Sequence, residues 1–479
     1  MASKIQLRRD TASNWSNNNS QLASGEPGFE TDTGKFKIGN GIGYWNELDY
    51  AGSGGGGVTN NGSVYIGDGA GSCSSADCSV GIGDNAGQNC QGCCAVAIGN
   101  DAGRNCQSSG AIAIGDQAGE CCQGCSSIAI GQNAGQCCQG DNAIAIGTCA
   151  ANGCDCSQQE YAIAIGYAAG YCDQQNSAIA IGNNAGRCNQ NCSAIAIGNN
   201  AGNCDQSCEA IAIGYYAGNC NQNNHAIAIG ACAGNCNQSS LAVAVGRSAG
   251  NCGQGFGAVA VGHIAGNCSQ GNHAVAVGYA TGNCCQGHGA VAIGVSAGRC
   301  DQGEYGIAIG YRTGRCNQQT NAIAIGTYAA ESNVWLDIEW ASGDGSTNTI
   351  VITTGYNYSQ IRVGMALYNN GYSGQVITAI NGTTLTLDGI APNGPVGSGT
   401  IQVNGRQGQN AIAIGAYAAR YAQAPNSIVI NATGSELPSQ GSGTTVIQSL
   451  RQVTGGTAPS GFTPVYWNPT TGELITVTA

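Results

Sequence analysis

The side chains with the most chemistry to offer are the cysteines, 28 in a chain of 479 residues, and they fall in columns. From Cys172 through Cys188, Cys204, Cys220, Cys236, Cys252, Cys268, Cys284 and Cys300 to Cys316, one thiol recurs every 16 residues. An upstream column runs Cys90, Cys106, Cys122, Cys138 and Cys154, one position later in the repeat, and the switch coincides with a three-residue insertion around Cys154-Asp155-Cys156. Cys192 and Cys208 stand off both columns, and Cys121, Cys122 and Cys125 crowd one loop. If each repeat is one stacked coil, equivalent cysteines lie about 4.8 Å apart at Cα, inside the span of about 4.4–6.8 Å that a disulfide tolerates. Disulfide staples formed in an oxidising medium are the favoured expectation. Thiols that stay reduced would act as small hydrophobes. The spacings are not those of a paired C-x-x-C zinc site, and only His225, His263, His273 and His288 could assist a metal, so no metal or other cofactor is expected.

Two carboxylates, Asp337 and Glu339, are two residues apart and would share one face of a strand, the raw material of a glycosidase. Neither a nucleophile elbow nor a P-loop, metal-binding helix or calcium-binding glycine repeat accompanies them, so the chain is read as no enzyme. Around them gather Trp335, Trp340, Tyr356, Tyr358, Tyr368 and Tyr372. These aromatics suit either the core of a small β domain or a platform for a host glycan or protein receptor.

The elements that must position these groups are set by a second periodicity. Ala-Ile-Ala-Ile-Gly recurs with its closing glycine at Gly67, Gly83, Gly99, Gly115, Gly131 and Gly147, then Gly166, Gly182 and onward to Gly326, 16 residues apart with a single spacing of 19. The residues one and three places before each glycine are Ile or Val in all 17 repeats from Val64/Ile66 to Ile323/Ile325, and those between are mostly Ala. β-Branched residues at a period of two make a strand, and apolar residues on both of its faces require cover on both sides, as in stacked parallel strands. A fixed short period therefore predicts a parallel β-solenoid. One side of the strand is expected to be the coil interior, and the Ala side to receive a close neighbour, for which a second copy of the chain is the natural candidate. Ala-Gly three and four residues after the glycine predicts a tight corner, and the Asn, Asp, Gln, Ser and Cys that follow have loop composition. Seventeen coils would stack to roughly 80 Å.

Composition narrows the function classes. Charged residues are 9% and aromatics 6%, Gly numbers 80, and the net charge of −12 argues against an electrostatic nucleic-acid binder. All lysines, Lys4, Lys35 and Lys37, sit near the start. With no apolar signal-peptide core and no run approaching 18 apolar residues, neither a leader nor a membrane span is expected, and the chain is read as soluble and made in the cytosol.

Outside the repeats the chain divides into a head (1–50), a Gly-rich hinge (51–62), the shaft (63–330), an inserted β domain (331–409) with strands expected at Thr349–Thr353 and Thr384–Leu387, resumed coils (410–435) around Ile412/Ile414 and Ile428/Ile430, and a cap (436–479) closing on a hairpin over Tyr466–Ile475. The head carries Ile5-Gln6-Leu7-Arg8-Arg9-Asp10-Thr11-Ala12, then Gly25-Glu26-Pro27-Gly28-Phe29-Glu30-Thr31-Asp32-Thr33-Gly34-Lys35-Phe36-Lys37-Ile38-Gly39, then Trp45. This pattern resembles the N-terminal module of phage tail fibres and tropism determinants, which joins a trimeric fibre to the tail or baseplate. The resemblance implies virion attachment through residues such as Arg8, Arg9, Phe29, Phe36 and Trp45. The Ala-Ile-Ala-Ile-Gly coils resemble the head repeats of trimeric autotransporter adhesins, which implies a left-handed, homotrimeric β-roll. The 16-residue period and the cysteines depart from that family, as does the lack of a secretion signal and membrane anchor. The resulting expectation is an all-β structural virion protein, assembled in the host cytoplasm, that reaches the host surface distally. The alternatives are a polysaccharide depolymerase spike, a capsid decoration protein and an ice-binding solenoid; the last would need a flat Thr ladder where these loops offer Asn, Gln and Cys.

Overall fold

The computed structural model describes residues 7–51, 56–58, 62–73, 76–153, 158–331, 335–342, 349–352, 365–369, 372–381, 384–387, 399–438, 442–448, 465–468 and 473–476. The chain is nearly all-β and forms a parallel β-solenoid of coils about 16 residues long. It divides into two compact units, Met1–Glu304 and Tyr305–Ala479.

The first unit opens with the head. Strand β1 (Arg8–Asp10) pairs in parallel with β2 (Pro27–Glu30), which pairs antiparallel with β3 (Phe36–Ile38). Between β1 and β2 lies helix α1 (Ala12–Asn18), whose first turn is capped by the Thr11 hydroxyl accepting from the Asn14 N–H, and whose end is closed by Asn19 in the left-handed conformation. The core beneath is Trp15, Leu22, Trp45 and Leu48. Where a Gly-rich hinge is expected, Gly56–Val58 is instead a strand, antiparallel to the first solenoid strand Val64–Ile66. It occupies an edge that would otherwise offer unpaired backbone groups to other chains.

From Val64–Ile66 to Val291–Ile293 each Ala-Ile-Ala-Ile-Gly segment contributes a three-residue strand, stacked in parallel on its equivalent one coil away, as Ile179↔Ile195, Ala180↔Ala196 and Ile181↔Ile197. The expected facing of this strand is reversed. The central alanines, such as Ala180, Ala196 and Ala212, are completely buried inside the coil, while the flanking Ile and Val lie half-exposed outside. The physical reason is room. A closed coil of 16 residues leaves an interior that three alanines per coil and one glutamine already fill, as with Ala194, Ala196, Ala201 and Gln206.

That glutamine comes from a second parallel ladder, the Cys-x-Gln strands, in which Cys172↔Cys188 and Gln174↔Gln190 stand in register. Each buried Gln amide runs along the coil stack. Gln190 Nε2 donates to Ile179 O (2.8 Å), to Ala194 O (3.3 Å) and to Gln206 Oε1 (3.1 Å) on the next coil. The coil closes through five positive-φ residues, seen at Gly182 (131°), Asn184 (51°), Gly186 (50°), Asn189 (54°) and Ser193 (55°). Gly, Asn and Asp recur there because they enter the left-handed region at least cost. A Cβ on Gly182 would sit 2.6 Å from Gly198 O of the next coil, so this corner admits glycine alone.

In the second unit the strands at Ile307–Ile309, Ile323–Ile325, Ile412–Ile414, Ile428–Asn431 and Thr445–Gln448 stack in parallel. Ile323–Ile325 pairs directly with Ile412–Ile414, so the segment between is looped out of an uninterrupted stack. The amide ladder crosses the same gap, with Gln318 Nε2 donating to Gln407 Oε1 at 3.0 Å. The looped-out segment forms six antiparallel strands that close on themselves, including Thr349–Ile352 and Thr384–Leu387 near the expected positions. Thr445–Gln448 continues the stack one rung beyond the expected resumed coils, and Val465–Asn468 pairs with Glu473–Thr476 as the expected hairpin. No helix among the described residues is long and apolar enough to cross a membrane.

Candidate attachment and assembly surfaces

In the head, α1 sets Trp15 against Trp45, with ring centroids 4.1 Å apart and planes nearly parallel, and Trp15 Nε1 donates to Phe29 O at 3.0 Å. Lys37 points inward from β3. Its Nζ donates to Trp45 O at 2.8 Å and lies over the Tyr50 ring at 4.5 Å. Burial pulls the Lys37 pKa down, and the nearby Glu30 and Asp49 carboxylates oppose that pull. Glu30 is buried and accepts from Tyr50 Oη at 2.7 Å and from the Thr33 hydroxyl. The bond to Glu30 pushes the Tyr50 pKa up to about 12.

Of the residues expected to meet the particle, Arg8, Arg9 and Phe36 are exposed and Phe29 is half-buried. Trp45 is corrected. At 1% exposure it is core, and it stacks rather than offering a contact. Arg8 lies over Trp15 and pairs with Glu26 at 3.4 Å. The sequence reading missed four further exposed apolar residues of the head, Leu7, Ile38, Ile42 and Tyr44. For Ile38 the signal was the alternation Phe36-Lys37-Ile38, which puts both apolar side chains on the face opposite the buried lysine.

Along the solenoid of the first unit the outer face of the main ladder carries two Ile or Val per coil, of which Ile66 (47%), Ile293 (39%), Ile229 (38%) and Ile197 (36%) are the most open. Tyr167, Tyr215 and Tyr279, each directly after a ladder glycine, stand exposed at its margin. This contiguous apolar strip is the feature that an inward reading of the Ile/Val column conceals.

The two cysteine columns occupy different places. Cys90, Cys106 and Cys122 sit on exposed left-handed tips, the position that downstream coils give to Asp173, Asn189 and Asp205. From Cys172 onward the column is half-exposed at the start of the second ladder, save for the more open Cys252. Cys204, Cys236, Cys268 and Cys284 donate to the Oδ1 of the preceding Asn203, Asn235, Asn267 and Asn283 at 3.0–3.1 Å. Burial first, then neighbouring cysteines, raises the pKa of each of these four thiols. Cys154 lies outside the described residues, as do Tyr356 and Tyr358. Trp335 and Trp340 pair in register with Asn404 and Gly399, Tyr368 and Tyr372 belong to one antiparallel pair, and Asp337 and Glu339 occupy alternate positions of one strand. Among the described residues no group of three or more His, Cys, Asp or Glu is placed to hold a metal ion.

Comparison with known proteins gives one family. Residues 5–43 match the major tropism determinant N-terminal domain. The chain thus carries a phage tropism-determinant type of N-terminal domain ahead of a cysteine-rich β-solenoid. No curated protein and no solved structure matches it.

Proposed function

We propose that this chain is the structural, non-catalytic subunit of a phage tail fibre or related virion appendage. Its head attaches to the particle through the exposed Arg8, Arg9, Phe36 and Ile42, and its β-solenoid carries the distal domains to a glycan or protein on the host surface. The observation that carries this reading is the tropism-determinant match over residues 5–43, directly followed by a long solenoid. Within each unit, coils hydrogen-bonded to one another suit a stiff spacer.

The working form is a homotrimer in which the outer Ile/Val strips of three copies face one another. Each Ile left about a third exposed would gain roughly 0.5–1 kcal/mol on full burial, and two per coil make a large sum over the stack. The test is immunogold labelling of purified particles with antibody to the chain, alongside the native mass by light scattering. Label on the tail and a threefold mass support the proposal. Label on the capsid surface would make the chain a decoration protein, and a monomeric mass would end the trimeric reading.

A further inference from the structure

Cys192 and Cys208 are equivalent residues of consecutive coils, each directly before the left-handed residue (Ser193, Glu209) that leads into the main strand. Their sulfurs lie 2.7 Å apart. A thiol pair at that separation is closer than two non-bonded sulfurs rest and needs only a small side-chain adjustment to reach a bond of about 2.05 Å. The backbone around them is already held, because Ile195–Ile197 pairs with Ile211–Ile213 and the Glu209 N–H donates to Cys192 O at 3.0 Å. The main column has the same coil-to-coil repeat and a different aim. There Cys204, Cys236, Cys268 and Cys284 are turned sideways onto the asparagine of their own coil.

We propose that Cys192 and Cys208 form an intrachain disulfide stapling two consecutive coils, while the column residues Cys204, Cys268 and Cys284 remain thiol. The oxidant is a low-molecular-weight disulfide such as oxidised glutathione. One cysteine, as thiolate, attacks a sulfur of the oxidant, which forms a mixed disulfide and expels one glutathione thiolate. The second cysteine then loses its proton, attacks the protein sulfur of the mixed disulfide and expels the second glutathione. In total the protein gives up two protons and two electrons, and the oxidant is reduced to two thiols.

The experiment takes the reduced full chain, equilibrates it with excess oxidised glutathione, blocks free thiols with iodoacetamide and maps peptides without reduction after cleavage at Asp205, which separates the two cysteines. The expected result is a Cys192–Cys208 linked peptide pair lighter than its free parts by two hydrogen atoms, in chains that run as single chains on a non-reducing denaturing gel. Cys204, Cys268 and Cys284 should carry the alkyl label. Cys192→Ser should leave Cys208 holding glutathione or alkyl label, and Cys208→Ser the converse. Alkylation of both Cys192 and Cys208 in the wild type would overturn the proposal. So would a link from either to a column cysteine or to another chain.

Discussion

The buried amide ladder is the test of what closes these coils, and Gln206→Leu is the perturbation that isolates it. Gln206 is completely buried. Its Nε2 donates to Ile195 O (2.8 Å), Ala210 O (3.1 Å) and Gln222 Oε1 (3.1 Å), and its Oε1 accepts from Gln190 Nε2 (3.1 Å). Leucine fills a similar volume with no polar atom, so the swap leaves shape nearly constant and removes three hydrogen bonds, two from the amide N–H groups, one of them shared between two acceptors, and one to its oxygen. At about 1 kcal/mol net for each, the loss is about 3 kcal/mol, and leucine's better transfer out of water returns about 1. A net destabilisation of about 2 kcal/mol is expected from guanidinium unfolding followed by circular dichroism. Because solenoid stability is carried by nearest-neighbour interfaces, amide exchange should quicken first in the coils holding Gln190, Gln206 and Gln222. A variant within about 0.5 kcal/mol of wild type, with unchanged exchange, would refute the ladder as a stabilising element. Gln206→Glu adds a test of sign. A carboxylate there would face the backbone oxygens of Ile195 and Ala210 and the amide oxygen of Gln222, so its folded pKa must rise above the unfolded value of about 4.3. That variant should be most stable below about pH 4 and lose stability as pH rises through the folded pKa; the opposite slope contradicts the geometry.

Other consequences follow from single residues. Ile197→Asp with Ile229→Asp should reduce the native mass to that of one chain while leaving the circular dichroism spectrum unchanged, and a retained threefold mass would remove the outer strip from the interface. Gly182→Ala puts a Cβ 2.6 Å from Gly198 O at φ 131°, and should cost about 3 kcal/mol or more in thermal or denaturant unfolding. Glu331, buried between Arg312 (2.8 Å) and Arg420 (3.1 Å), is the shared anion of that cluster, so Glu331→Gln should cost about 3 kcal/mol in the same assay. Tyr50 should be among the last tyrosines to ionise. The difference between wild-type and Tyr50→Phe phenolate absorbance should titrate near 12, and its stabilising bond, present below the unfolded value of about 10, should be lost as pH rises through that point.

Much of the fold was legible because the repeat writes it many times over. The Ile/Val spacing located every main-ladder strand from Val64–Ile66 to Val291–Ile293 and the resumption at Ile412–Ile414, and the turn residues fell where the backbone is left-handed. Sequence reading of the second ladder was weaker. Cys-x-Gln strands have no apolar alternation, and their middle residue is left-handed, as at Asn189 and Asp205, so no strand period exists to be read. The persistence of Gln91, Gln107, Gln174 and Gln318 in one phase was the available clue, because a polar side chain held in phase while its neighbours vary signals a fixed buried partner. In the head, the aromatics marked a folded module but not which of them faced out. Trp45 went to the core because Trp15 stacks on it and Lys37 caps its carbonyl, contacts made across the fold rather than along the chain.

The reversed facing of the Ala-Ile-Ala-Ile-Gly strand has the largest consequence for function. A period of two divides residues into two faces and says nothing about which face is inside; the cross-section of the closed coil decides that. Here Gly182 stacks on Gly198 with no space for a methyl, and the amide of Gln190 spans the interior to Ile179 O and Ala194 O, so only alanine fits between. The bulky residues are thereby forced outward in every coil, including at Ile197, Ile213 and Ile229. A solenoid whose interior is saturated by its smallest residues must leave its largest apolar ones for contacts beyond the coil. The same constraint that closes each coil supplies the exposed apolar strip on which the proposed trimer rests.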